Sequence, residues 1–256
     1  MGAPITSRDS KRQHAVDIFI AAYNQRKFTD EAAQRINARG NDLKGGIDAL
    51  LMRLAAEGRI MSINDKIELI INRGYHTALG LSTADYRSIW PTTVEQPAEY
   101  VNRLDGAFLV DHTIKPAALA KCNHDCHLWV PPDDCEDLVS RPVHPVNGKR
   151  LTRYVAWIQL TRYLNRKVED VRLEIPSDEA GLMAAELQHL PGQFERHLRS
   201  YAVDGPGSRH GSGSAPCVGW FDGGRPNFDS CGVRDRNPGF GSGSRGIKVV
   251  PVSWED

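Results

Sequence analysis

Between Phe221 and Arg245 the chain reads FDGGRPNFDSCGVRDRNPGFGSGSR, then changes abruptly to Gly246-Ile247-Lys248-Val249-Val250-Pro251-Val252. The first stretch has almost no aliphatic side chain, so it cannot bury enough apolar area to offset the entropy of ordering itself. The second reads as a buried strand. A polar tract tied at its end to a strand is expected to be an irregular surface loop, held as binding loops are held. The rest of the chain then has to supply the scaffold.

The totals leave room for one. With 256 residues, the chain holds one large domain or two modest ones. Lys plus Arg equals Asp plus Glu, 32 against 32, which removes any global electrostatic argument for nucleic acid or an anionic membrane. No apolar run approaches the length of a membrane span, and the first residues lack the apolar core of a signal peptide. The default location is therefore the cytoplasm, or association with a phage or prophage. Five cysteines without an export signal are expected to be reduced thiols.

Residues 1–90 read as a small helical module. Ala15, Ile18, Phe19 and Ala22 recur at helical spacing, Thr29-Asp30 opens a second helix, and Ile47, Leu50, Leu51 and Leu54 form a third apolar stripe. Ser62 and Asp65 match a capping box ahead of Ile67, Ile70 and Ile71, and Gly74 closes that helix. Arg53, Arg59 and Arg73 are offset by Glu57, Asp65 and Glu68, so no basic face for nucleic acid stands out. Trp90 to Pro97 carries two prolines and marks a domain boundary, with 91–141 as a connecting segment. Gly106 to Val110 is a short buried strand.

Beyond Pro142–Val146, an extended segment, Leu151, Tyr154, Val155, Ile158 and Arg162 lie along one side of a helix. Val171 to Ile175 alternates as a strand should, and Ser177 caps a following helix that carries Leu182, Met183, Ala185 and Leu187. Residues 204–216, DGPGSRHGSGSAP, form a flexible loop.

Motifs that carry chemistry are scarce. The sequence has no HExxH, Walker A or GxSxG string. Gly241 to Gly246 satisfies GxGxxG, but a strand follows it where the dinucleotide fingerprint needs a helix, so the match is rejected. Cys122, Cys126, His127 and Cys135, with His124 among them, are dense enough to suggest a tetrahedral zinc site, yet their spacing fits no common zinc template. Buried thiols and exposed imidazoles account for them equally well. No metal, cofactor or catalytic residue is assigned.

Residues 142–250 resemble the formylglycine-generating-enzyme-like branch of the C-type lectin fold. Pro142-Val143, Val146, Tyr154 and Trp157 carry one part of the likeness; Val171 to Leu173, Pro176 to Glu179 and Ala184 to Glu186 carry a second. Gly219-Trp220, Ser230-Cys231, Arg234, Asn237-Pro238 and Gly246 to Val250 carry the third, in the same order along the chain. The resemblance implies an α+β architecture, with a C-type lectin fold over 142–256 behind the helical module. The enzymes of this branch oxidise a sulfatase cysteine with copper, using two cysteines close together in the final segment. Here Cys217 and Cys231 straddle the polar tract and a central section between Ala185 and Cys217 is missing, which makes an oxidoreductase the alternative reading. A regulator acting through the helical module is a second alternative.

The likeness also extends to variable proteins diversified by retroelements, whose variable positions descend from Asn codons mutagenised at adenines. Such codons cannot yield Lys, Glu, Gln, Met or Trp, and none of the five occurs from Phe221 to Ile247. The function implied is display of a variable ligand surface, residues 219–246, to a macromolecular partner, best matched by a protein. Phe221, Phe228 and Phe240 would be its aromatic anchors, and Arg225 and Arg236 its bidentate donors. Asp222, Asn227, Asp229, Asp235, Asn237, Ser242 and Ser244 would supply polar contacts, and Gly223, Gly239 and Gly241 the backbone between them. Trp220 and Arg234 are expected to be framework. No carboxylate run suited to calcium-mediated sugar binding is present.

Overall fold

The chain divides into a unit of Met1–Gly46 and one of Ile47–Asp256. The computed structural model describes residues 62–101, 103–211, 213–221, 224–234 and 239–255. The three helices expected before Ser62 lie outside the described residues.

The fold is mixed α+β. Three helices open it: α1 (Ile63–Asn72), α2 (Tyr75–Ala78) and α3 (Thr83–Ile89). The capping box forms as its residues suggest: Ser62 Oγ accepts from the Asp65 N–H, and Asp65 accepts from the Ser62 N–H, each at 3.1 Å. Gly74 sits at φ +85°, the left-handed position that ends a helix at little steric expense. β1 (Gly106–Asp111) is the strand anticipated there.

Behind β1 stands β4 (Leu151–Leu164), the strand on which the sheet is centred. β1 pairs along one side of it, while β10 (Phe240–Gly246) and β11 (Val250–Trp254) share the other. The helix expected over Leu151–Arg162 is thus a strand. Tyr154, Val155, Ala156, Trp157, Ile158 and Leu160 are all buried, and a strand covered on both faces has no polar side to reveal its period of two. From β10 the sheet continues through β6 (Ala202–Asp204), β8 (Ala215–Gly219), β9 (Asn227–Cys231) and β2 (His127–Leu128). It is mixed, with β10–β6 and β9–β2 parallel. β5 (Glu179–Gly181) adds to β10, and β3 (Cys135–Asp137) with β7 (Ser208–His210) make a separate pair.

One face of the sheet packs Phe108, Val110, Tyr154, Ile158, Val203, Val218 and Phe228 against Leu187, Leu190 and Leu198. These leucines come from α6 (Ala184–Leu187), α7 (Leu190–Gln193) and α8 (Glu195–Leu198). On the other face, Ala107, Leu109 and Val155 pack against Ile63, Ile67, Ile70, Tyr75, Tyr86 and Trp90. Helices α1–α3 therefore share a core with the sheet, and the prolines around residues 91–97 mark a bend in the chain, not a boundary between cores. Between these elements, α4 spans Pro116–Cys122.

The strand expected over 171–175 is helix through Glu174, and the helix expected from Ser177 onward begins as strand β5 and becomes helical only in α6. α5 (Val168–Glu174) buries Val168 and Val171 at helical spacing and leaves Leu173 at 89% exposure, which breaks the apparent alternation. Glu169 and Asp170 in its first turn suit the helix dipole. Asp178 and Glu179 are drawn away from helix formation by Arg103, whose guanidinium meets them at 2.8 and 2.6 Å. The expected loop over 204–216 contains β7 and the ends of β6 and β8, and Gly205 to Gly207 form a buried corner between β6 and β7. A Cβ on Gly207 would lie 2.2 Å from the Gly181 carbonyl oxygen.

Gly246, at the end of β10, faces the buried ring of Tyr100, and an added Cβ would stand 2.3 Å from its Cε2. A rigid ring held at Tyr100 Oη by the Asp178 carbonyl cannot swing aside freely. Gly246→Ala is expected to lower folding stability by about 1–3 kcal/mol, measured by urea unfolding.

Candidate ligand surface and the thiol cluster beneath it

On the face of the sheet opposite α6–α8, one row is half-buried at its two ends and buried at Ala202, Gly219 and Asn227 between them. This row of neighbours crosses five strands: Phe240 beside Ala202, then Gly219, Asn227 and His127. Four interstrand spacings make the row about 19 Å long. The Phe221 ring lies over Gly219 and stacks on Phe240, with centroids 5.6 Å apart and planes inclined by 22°. Gly219 admits it because a Cβ there would meet the Phe221 Cζ at 3.4 Å and the Ala202 Cβ at 2.7 Å. At the other end, His127 and Trp129 pair at 4.2 Å between ring centroids, and Arg225 Nη2 lies 3.4 Å from His127 Nδ1. Trp129 is 62% exposed and Phe221 42%. An aromatic pair at each end with an exposed guanidinium between strands is suited to gripping a broad partner surface.

The residues expected on this surface divide by strand parity. Phe221, Arg225, Asp229, Gly239 and Phe240 are exposed or half-buried. Gly239 takes φ +83° and its N–H donates to Asn165 Oδ1 at 2.9 Å, fixing the turn into β10. Asp222, Gly223, Asp235, Arg236 and Asn237 lie outside the described residues.

Five expected contacts are interior instead. Phe228 points into the main core with Val218 and Val203. Gly241 backs onto Leu164, whose Cδ2 a Cβ would approach to 2.9 Å. Asn227 is buried in the row between Gly219 and His127. Ser244 is fully buried and donates to Glu179 Oε2 at 2.7 Å. Ser242 is fully buried too, and among the described residues its hydroxyl has no hydrogen-bond partner. The tract is not one loop: it contains β9, buried at Asn227 and Phe228, and β10, buried beyond Phe240. Gly241, Gly243 and Gly246 pack closely where a Cβ would collide.

Framework expectations also shift. Trp220 does pack against the core, with the Arg199 guanidinium 4.8 Å above its ring. Arg234 is surface: its side chain is 84% exposed and reaches Glu169 at 3.5 Å.

A second row lies two residues further in: Ser242, Asp204, Cys217 and Asp229 are neighbours on β10, β6, β8 and β9. Cys231 sits diagonally from Cys217, so the two cysteines that flank the tract in sequence stand side by side. Cys231 Sγ donates to Asp204 Oδ1 at 2.9 Å, and the reactive atoms of Asp204, Cys217 and Cys231 lie within 4.8 Å of one another. Burial pushes the Asp204 carboxyl up to about 7, against the hydrogen bond from Cys231. Hydrogen bonding to Cys217, then burial and the Asp204 charge, hold the Cys231 thiol well above its ordinary value. No signal in the sequence joins these three residues, since Asp204 falls at the start of the expected loop over 204–216.

The cysteines suspected of zinc binding do not converge in this way. Among the described residues, Asp204, Cys217 and Cys231 form the group of three or more potential ligands. Burial lifts the Cys126 thiol to about 12 and Cys135 to about 11, and their sulfurs face the carbonyls of His127 and Pro131. Among the described residues no helix is long and apolar enough to cross a membrane. No protein-family model, curated protein or solved structure matches the chain.

Proposed function

We propose that this protein binds a macromolecular ligand, a protein, through the aromatic ends of this row, on a scaffold of the C-type lectin type. The observation that carries this reading is the exposed Phe221–Phe240 stack, seated on a glycine of the sheet at one end of the row that Arg225, His127 and Trp129 close. A row of this length suits a wide, polar-rimmed partner. The amino-acid usage from Phe221 to Ile247 supports diversification by a retroelement. The variable positions would include, among the described residues, Phe221, Arg225, Asp229, Gly239 and Phe240.

This reading makes a quantitative demand. Variable positions must be decoupled from folding, so substitutions at Phe221 and Arg225 are expected to shift stability by less than about 0.5 kcal/mol. By contrast, Phe228→Ala is expected to lose about 3–5 kcal/mol, as for any fully buried aromatic. Urea unfolding of both sets checks the division. The test of diversification itself is to sequence the surrounding genome. A near-copy of the segment encoding Phe221 to Ile247, differing at adenines and beside a reverse transcriptase gene, is expected; its absence removes the retroelement.

A further inference from the structure

Asp204 presents an unusual problem of charge. Its carboxyl is 3% exposed, and among the described residues no Lys, Arg or His pairs with it. The donor it has is the Cys231 thiol, a weak one. Beside it lie Cys217, buried, and Ser242, whose fully buried hydroxyl has no partner among the described residues and whose register places it on the same face, directly next to Asp204. Two thiols, a carboxylate and an orphaned hydroxyl thus converge from four adjacent strands. An uncompensated buried carboxylate and an unsatisfied buried hydroxyl each carry a penalty that a bound cation and its water would remove.

We propose that Asp204, Cys217 and Cys231 form a zinc site, with the fourth position facing Ser242. Two sulfurs and one carboxylate oxygen are a donor set zinc accepts, and three protein ligands leave room for a water. Tetrahedral zinc with bonds of about 2.3 Å to sulfur needs its sulfurs about 3.8 Å apart, so the cluster, already within 4.8 Å, closes by small side-chain rotations. The carboxylate disfavours copper(I), which prefers soft thiolate and thioether ligands, and the thiols disfavour magnesium and calcium. The set also differs from the cysteine pair implied by the resemblance, which lies within one segment. Here the ligands come from β6, β8 and β9, and one of them is a carboxylate.

The site is anchored. α5 flanks it on both sides: Arg172 donates to the carbonyls of Pro206 and Ser208, just beyond Asp204, and the Glu169 N–H donates to the Val233 carbonyl, just beyond Cys231. Cys231, half-buried, is the side from which an ion enters. Because β8 and β9 also carry the surface row, zinc would brace the strands beneath the ligand surface. The proposal does not depend on what that surface binds.

The test uses the full chain, reduced and stripped with chelator, then loaded with Zn²⁺ and desalted. One zinc per chain is expected by elemental analysis, with a rise in melting temperature that Mg²⁺ and Ca²⁺ do not reproduce. The Cys122→Ser/Cys126→Ser/Cys135→Ser variant is expected to retain that zinc, while Cys217→Ser/Cys231→Ser and Asp204→Asn each lose it. Co²⁺ in the unmodified protein is expected to give the thiolate charge-transfer band and a tetrahedral visible spectrum, a readout independent of whether a variant folds. The proposal is overturned if the unmodified protein retains no zinc, if the metal follows Cys122, Cys126 and Cys135, or if octahedral cobalt without thiolate bands is found.

Discussion

Replacing Glu186 with Ala is expected to lower folding stability by about 3–5 kcal/mol, a large part of the roughly 5–15 kcal/mol of a typical domain. Glu186 is fully buried on the main-core face and accepts from three groups. Its Oε1 meets Arg245 Nε at 2.5 Å and accepts from the Tyr154 hydroxyl, while Oε2 accepts from the Met183 N–H at 2.9 Å and so closes the N-terminus of α6. Burial works against the Arg245 charge, and Glu186 and Tyr154 more than restore it, holding the guanidinium above its ordinary value. Removing the carboxylate strands a guanidinium that is 2% exposed, its remaining anchor being the Ser140 carbonyl at 3.2 Å. Replacing both, Glu186→Leu with Arg245→Met, is expected to recover most of the loss, because the desolvation of both charges disappears together. Urea unfolding of the two single variants and the pair forms the double-mutant cycle. Full additivity of the two single losses would refute the coupling.

The second large effect is with pH. His189 is 1% exposed, among Tyr75, Phe108 and His112, and burial lowers it to about 4, with Asp111 pulling weakly the other way. In the unfolded chain the same group titrates near 6.5, so between those values the unfolded state binds the extra proton. Stability is therefore lost as pH falls from about 6.5 towards 4, by about 2–3 kcal/mol at pH 4.5 from this residue. His197, also lowered to about 4 by burial, acts in the same direction but is less enclosed. Asp204 acts oppositely: raised to about 7, it takes up a proton first in the native state and so moderates the loss. His189→Gln isolates the histidine. Its stability is expected to decline less than that of the unmodified chain from pH 7 to pH 4.5, by that same margin. Parallel urea-unfolding curves at the two pH values would show that His189 does not carry the effect.

Lys66 gives a smaller effect at alkaline pH. Burial lowers its ammonium to about 7, although the ring of Phe194, 3.8 Å away, favours the charged form. The unfolded lysine keeps its proton up to about 10.4, so stability is expected to rise with pH between about 7 and 10 from this group. Lys66→Met should remove that rise in thermal melts.

Some of this was written locally and could be read locally. Ser62, Asp65 and Gly74 fix the ends of α1 through their own backbone chemistry, whatever packs around them. β1 declares itself because a short apolar run bounded by Gly106 leaves little else to be, and the α+β class follows from such elements. The candidate surface was half legible. Phe221, Phe240 and Arg225 stand out by residue type, but Trp129 and His127 join them through a parallel pairing nearly a hundred positions away in sequence.

What tertiary structure alone decided is which segments are interior. β4 reads equally as helix or strand until β1, β10 and β11 occupy its edges, because burial on both faces erases the period that separates the two. β10 reads as loop until its neighbours are known. Gly243 is there because a Cβ would stand 2.5 Å from Leu182 Cδ1, and Ser244 because Glu179 needs its hydroxyl. The tract from Phe221 to Arg245 lacks the apolar area to order itself, as its composition says. Its strands β9 and β10 are placed by the area that Phe108, Leu182, Val203 and Val218 already bury around them, and that is a property of the packed sheet.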